Sequence, residues 1–117
     1  MKYRLFFNIF FLLGAFGLHA QEAPKSEAVA EMTTKFKVYG NCGMCEKRIE
    51  KAAKLDGVSS ADWNEETKML TVTFDAQKVK PGQIHKAVAA VGHDTDKVKA
   101  PDEVYAELHG CCQYERQ

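Results

Sequence analysis

No excess of charge of either sign marks this chain. Its 117 residues carry 16 Lys and Arg against 16 Asp and Glu. A nucleic-acid partner favours a basic face, so none is expected. The stretch Lys97 to Lys99 is too short to alter that. No Ser/His/Asp set, phosphate loop or carboxylate pair has a spacing that asks for catalysis, so the chain is not expected to be an enzyme. No apolar run reaches the ~20 residues that a membrane-spanning helix needs. The length admits one small domain.

The first twenty residues differ from the rest. Lys2 and Arg4 precede the apolar run Leu5 to Leu13, and Gly14, Ala15, Gly17 and Ala20 follow. A basic start, a short apolar centre and a small-residue end describe a secretory signal peptide over 1–20, with export to the periplasm as the expectation. Cleavage after Ala20 fits, cleavage after Gly17 is the alternative, and an uncleaved anchor is the third possibility. From Gln21 onward the chain has lost Lys2 and Arg4 and no acids, which leaves a formal charge of −2. Residues 21–32 are polar, contain Pro24, and read as a flexible leader.

The remainder alternates between the two hydrophobic periods. Thr33 to Tyr39 reads as a strand on Phe36 and Val38. Cys45 to about Leu55 reads as a helix on Ile49, Ala52 and Ala53, stopped by Asp56-Gly57. Val58 to Asn64 and Met69 to Phe74 form a hairpin, with Leu70, Val72 and Phe74 on one face. Pro81 opens a second helix, on which Ile84, Ala87, Val88 and Val91 recur at i, i+3, i+4, i+7; Gly92 closes it. Asp94 to Val98 is a short fourth strand. The order β-α-β-β-α-β is the ferredoxin-like α+β sandwich: an antiparallel sheet with two helices on one face. The domain spans 33–99. Residues 100–117 form a tail, with a short helix from Asp102 to about His109. Met32, Met69 and Trp63 are expected to pack, and His85, beside the apolar stripe, to be solvated.

Four cysteines carry the chemistry: Cys42, Cys45, Cys111 and Cys112. In an exported chain they can form disulfides, hold a metal, or both at different times, and four cysteines allow three pairings. Cys42 and Cys45 lie between a strand and a helix N-terminus, where N–H groups favour a thiolate; Lys47 and Arg48 follow. Gly40 and Gly43 let the loop turn around a small object. Two thiolates with no third protein ligand suit Cu(I), and the same geometry accepts Hg(II), Ag(I), or Zn(II) with further ligands.

At Gly40-Asn41-Cys42-Gly43-Met44-Cys45 the sequence resembles the metal loop of the heavy-metal-associated domain. That family includes copper chaperones, periplasmic mercury-binding proteins and N-terminal modules of metal-transporting P-type ATPases. The resemblance runs from about Thr33 to Lys99. It takes in Gly57-Val58, Phe74-Asp75 and Ala90-Val91-Gly92. It implies a ferredoxin-like fold and passage of a soft metal ion between paired cysteines by ligand exchange. The implied partners are the ion itself, a metal-transporting membrane ATPase or another metal-binding domain, and the state a monomer or a metal-bridged homodimer. The sequence departs from the family at Gly40, usually Met, at Asn41, usually Thr or Asp, and at His93, often Tyr or Phe. Lacking an acid beside Cys42 disfavours Zn(II). His93 lies in a loop at the metal end of the sheet, where it is either an auxiliary imidazole ligand or an exposed loop residue.

The tail has no counterpart in the minimal domain. Roughly five residues of strand run ~16 Å away from the metal end, and about eight residues of helix recover ~12 Å. His109, Cys111 and Cys112 are therefore auxiliary ligand candidates, against a solvated tail, a dimer contact or a stabilising disulfide. The rival function is a dithiol/disulfide oxidoreductase that uses Cys42 and Cys45. No Trp precedes Cys42, and the pattern is not that of thioredoxin. A purely structural Cys42–Cys45 disulfide constrains little, because its loop is so short.

Overall fold

The computed structural model describes residues 30–117. The signal peptide expected over 1–20, and the leader up to residue 29, lie outside the described residues. The elements are β1 (Glu31–Lys37), α1 (Gly43–Ala53), β2 (Val58–Trp63), β3 (Met69–Asp75), α2 (Pro81–Ala90), α3 (Asp102–Ala106) and a 3₁₀ turn (Gly110–Cys112). The three strands form one antiparallel sheet in the order β1-β3-β2. Along β3 the period of two is strict: Leu70, Val72 and Phe74 are buried, and the residues between them are half-buried. Their face meets Phe36 and Trp63 of the flanking strands and Ile49, Ala53, Ile84 and Val88 of α1 and α2. Each Leu, Ile, Val or Phe among them, fully buried, contributes roughly 1.5–3 kcal/mol of transfer free energy. This is the ferredoxin-like arrangement, with helices against one side of the sheet.

Two expectations change in detail. β1 begins at Glu31, two residues earlier than the alternation suggested, because Met32 and Glu31 pair with Phe74 and Asp75. Met32 is nonetheless 55% exposed and does not pack.

The fourth strand expected over Asp94 to Val98 is not formed. It is reduced to one bridge between Val38 and Thr95. Tyr39 N–H donates to Asp94 O and Asp96 N–H to Lys37 O, and the pairing stops there. Thr95 is the cause. Its N–H donates to Val98 O, and its Oγ1 accepts from the N–H groups of Lys97 and Val98. A side chain that satisfies backbone donors locally competes with a ladder and turns the chain back.

His85 is buried rather than solvated. Its ring stacks on Phe36 at 3.7 Å between centroids, and Nδ1 lies 2.7 Å from Thr95 Oγ1. Since that oxygen already accepts two N–H groups, its own proton is free to go to Nδ1. His85 is then neutral, with its hydrogen on Nε2.

The tail is built onto the domain. α3 ends at Ala106, short of the expected His109, where Gln113 Nε2 donates to the Ala106 carbonyl and Leu108 turns inward over Gly92. Gly92 has φ +111, and a Cβ there would stand 2.9 Å from Leu108 Cδ2. Only glycine admits both the left-handed backbone and the close approach of the tail. Beyond the 3₁₀ turn, Tyr114 is buried; its hydroxyl donates to Gly92 O at 2.7 Å and accepts from Asp94 N–H at 2.8 Å.

Candidate metal centre

Cys42 is the residue that precedes α1, in extended conformation, and its carbonyl accepts from Glu46 N–H at 3.0 Å. Cys45 follows in the first helical turn and is fully buried. Their sulfurs stand 3.3 Å apart. Gly40 lets the loop pack closely behind Cys45: a Cβ there would meet Cys45 Cβ and the Trp63 ring at 3.1 Å. Trp63 is itself fixed by Nε1 donating to Val38 O at 3.0 Å. The space a larger family residue would fill at position 40 is thus taken by the indole.

The tail brings two more sulfurs to the same place. Cys42 Sγ lies 3.4 Å from Cys111 Sγ and 3.4 Å from Cys112 Sγ. Cys111 and Cys112 sulfurs are 3.9 Å apart, and Met44 Sδ lies 3.9 Å from Cys111. Cys112 is fully buried and Cys111 exposed. All four cysteines are free thiols. The sulfurs of Cys42, Cys45 and Cys112 all lie within 4.8 Å of one another, a set that can hold a metal ion.

The histidines are not in that set. His93 is wholly buried, with Nδ1 2.8 Å from Tyr39 O, so it is neither an exposed loop residue nor one of the three clustered ligands. His109 is exposed and takes part through its backbone, its carbonyl accepting Cys112 N–H at 2.7 Å. Met44 beside Cys111 was not singled out from sequence as a tail contact; its place between the two cysteines was the available signal.

The four thiols differ in acidity. Burial raises Cys42, but the Cys45 backbone N–H and the Cys45, Cys111 and Cys112 thiols outweigh it and bring the group down to about 6. Burial pushes Cys45 up to about 12. Cys111 is raised by its contact with Cys42, and Cys112 by burial, which Arg48 partly opposes. Of the four thiols, Cys42 is the one whose surroundings favour the thiolate; those of the other three favour the protonated form. Desolvation and helix-terminal N–H groups act in opposite directions here, and position decides: Cys42 is at the mouth of the helix and Cys45 inside the core.

Residues 36–94 match the heavy-metal-associated domain. A copper chaperone CopZ of Staphylococcus aureus (strain JH9) is 38% identical over 55 residues, which covers 46% of this chain and 81% of the relative. Among solved structures, a CopZ metallochaperone is 35% identical with a TM-score of 0.53, covering 55% of this chain and 98% of its own. Oxidised MerP from Ralstonia metallidurans CH34 is 35% identical with a TM-score of 0.54, covering 57% and 96%. The N-terminal domain of a potential copper-translocating P-type ATPase from Bacillus subtilis, in its Cu(I)-loaded state, is 27% identical with a TM-score of 0.53, covering 56% and 84%. Cys111 and Cys112 lie beyond the family match.

Proposed function

The chain belongs to the heavy-metal-associated domain family, and on that premise we propose that it binds Cu(I) through Cys42 and Cys45 and hands it on by ligand exchange. The observation that carries this is the 3.3 Å approach of the two sulfurs at the α1 N-terminus. Soft thiolates select a soft ion, and the donor set is sulfur. Cys42 offers an anion to the arriving ion. Cys45 gives up its proton as the second bond forms, and the buried charge is offset by the ion. Hg(II), another soft ion that paired thiolates accept, is the alternative cargo; Ag(I) and Zn(II) rank below. The acceptor is a second paired-cysteine domain, such as that of a metal-transporting ATPase, in keeping with the relatives in which this domain occurs. The protein is a carrier without an enzymatic reaction, and the first twenty residues direct its export.

Anaerobic titration of the reduced chain with Cu(I) under a competing chelator tests the reading. Retention that disappears in Cys42→Ser supports it; failure of the intact chain to compete defeats it. A second reading, dithiol–disulfide exchange, has one observation in its favour: an exposed thiol, Cys111, lies 3.4 Å from Cys42. Insulin reduction by a chain that does not retain Cu(I) would select it.

A further inference from the structure

Resting on the reading of Cys42 and Cys45 as a soft-metal pair, we infer that the tail completes the site: Cys112 is a third sulfur ligand, and Cys111 is the outer sulfur through which the ion leaves. The geometry favours this over a tail that merely packs. Three sulfurs each about 2.3 Å from a central ion, the length of a zinc–thiolate bond, stand about 4 Å apart in a plane. The Cys42, Cys45 and Cys112 sulfurs already fall within 4.8 Å of one another, with Cys42 at 3.3 and 3.4 Å from the other two. A small opening by side-chain rotation admits the ion.

The surroundings suit the charge. Three thiolates around a monovalent ion carry a net charge of −2. The first turn of α1 directs its N–H groups at the cluster, and the Arg48 guanidinium stands beside Cys112. Arg48 Nη1 is buried and, among the described residues, has no hydrogen-bond partner. A thiolate on Cys112 supplies one.

The tail is also held in place independently of the sulfurs. Tyr114 is bonded to Gly92 and Asp94, and Arg116 to Asp94, Asp102 and Ala100. Cys112 is thereby presented to the pair before any metal arrives, which lowers the cost of ordering a ligand. Cys111, exposed and 3.4 Å from Cys42, is the sulfur an incoming acceptor can share. The ion stays Cu(I) throughout. Cys42 joins as the thiolate it already is; each other sulfur that joins releases its proton to solvent, and takes one back on leaving.

X-ray absorption of the reduced chain loaded with one Cu(I) counts the sulfurs. Three around copper in the intact chain and in Cys111→Ser, and two in Cys112→Ser, is the expected result. Retained copper with two sulfurs in the intact chain overturns the inference while leaving the Cys42–Cys45 reading standing; copper that is not retained at all defeats that reading instead. Because the intact chain decides alone, misfolding of a variant does not blunt the test. For Cys111, release to a chelator should slow in Cys111→Ser, and an unchanged rate removes its exit role. Alkylation of the loaded intact chain should modify Cys111 and spare Cys42, Cys45 and Cys112; protection of Cys111 with modification of Cys112 reverses the assignment and sinks it.

Discussion

Arg116 grips Asp94 with two parallel hydrogen bonds, Nε to Oδ2 at 3.0 Å and Nη2 to Oδ1 at 2.8 Å. The same guanidinium reaches Asp102 Oδ1 and Ala100 O, each at 2.7 Å. Both members of the pair are shielded, with side-chain exposures of 16% and 8%. A two-pronged guanidinium–carboxylate pair fixes orientation as well as distance. It ties the tail to the loop after α2, twenty-odd residues earlier in the chain.

Arg116→Ala should therefore loosen the tail. Hydrogen bonds to charged groups contribute about 1.5–3 kcal/mol, so the variant should lose an amount of that order in urea unfolding. Amide exchange around residues 110–116 should speed up before the sheet is affected. Unchanged exchange in that segment would show that the pair is not what holds the tail.

Cys42 should react at a pH where ordinary thiols do not. With its acidity brought to about 6, the alkylation rate should fall as pH drops through that region. It should level off by neutral pH, whereas Cys111, which is raised, should react only in more alkaline solution. Rate profiles resolved by peptide mass spectrometry give both. A Cys42 midpoint near 9 would refute the picture of a preformed thiolate.

Acid should weaken the apo fold in a defined order. Burial holds His85 and His93 below their ordinary 6.5. The unfolded chain therefore takes up protons first, and stability complete above 6.5 declines as pH falls below it. Burial raises Asp94, but the bonds from Arg116 and from Ala100 N–H outweigh this and depress it below 3.8. Its share is present above 3.8 and is lost on further acidification. Melting temperatures should drop between pH 7 and 5, and His85→Phe, which keeps the stack on Phe36, should flatten that part of the curve. A melting temperature unchanged over this range counts against buried neutral histidines.

Gly92→Ala should destabilise the chain by about 1–3 kcal/mol, the cost of holding a side-chain-bearing residue at a left-handed backbone position. Its added methyl would also press on Leu108, so the tail should detach at lower denaturant than the sheet unfolds. A single coincident transition, with stability unchanged, would contradict the role given to this glycine.

Much of this was legible in the sequence, for physical reasons that can be named. Leu70, Val72 and Phe74 alternate, so β3 and its buried face follow from period two. Ile84, Val88 and the Pro81 start mark α2 in the same way. Cys42 and Cys45 are neighbours in the chain, so their closeness needs only a loop and a helix start. Asp94 to Val98 misled because propensity does not register that Thr95 Oγ1 takes two backbone donors for a turn. His85 misled because its partners, Phe36 and Thr95, are distant or in a loop. The tail's anchors, Tyr114 and Arg116, carry no periodic signal: they act through polar contacts with Gly92, Asp94, Ala100 and Asp102.

The contacts from Cys42 to Cys111 and Cys112 join positions 69 and 70 residues apart. Closing so long a loop costs entropy that grows only as the logarithm of its length, but it has to wait until the distant segment exists. During synthesis from the N-terminus, Cys42 and Cys45 can meet as soon as α1 forms, whereas the four-sulfur cluster waits for the tail to be made and docked. A nascent chain thus passes through an interval in which its paired thiols stand open, without Cys111 and Cys112 beside them.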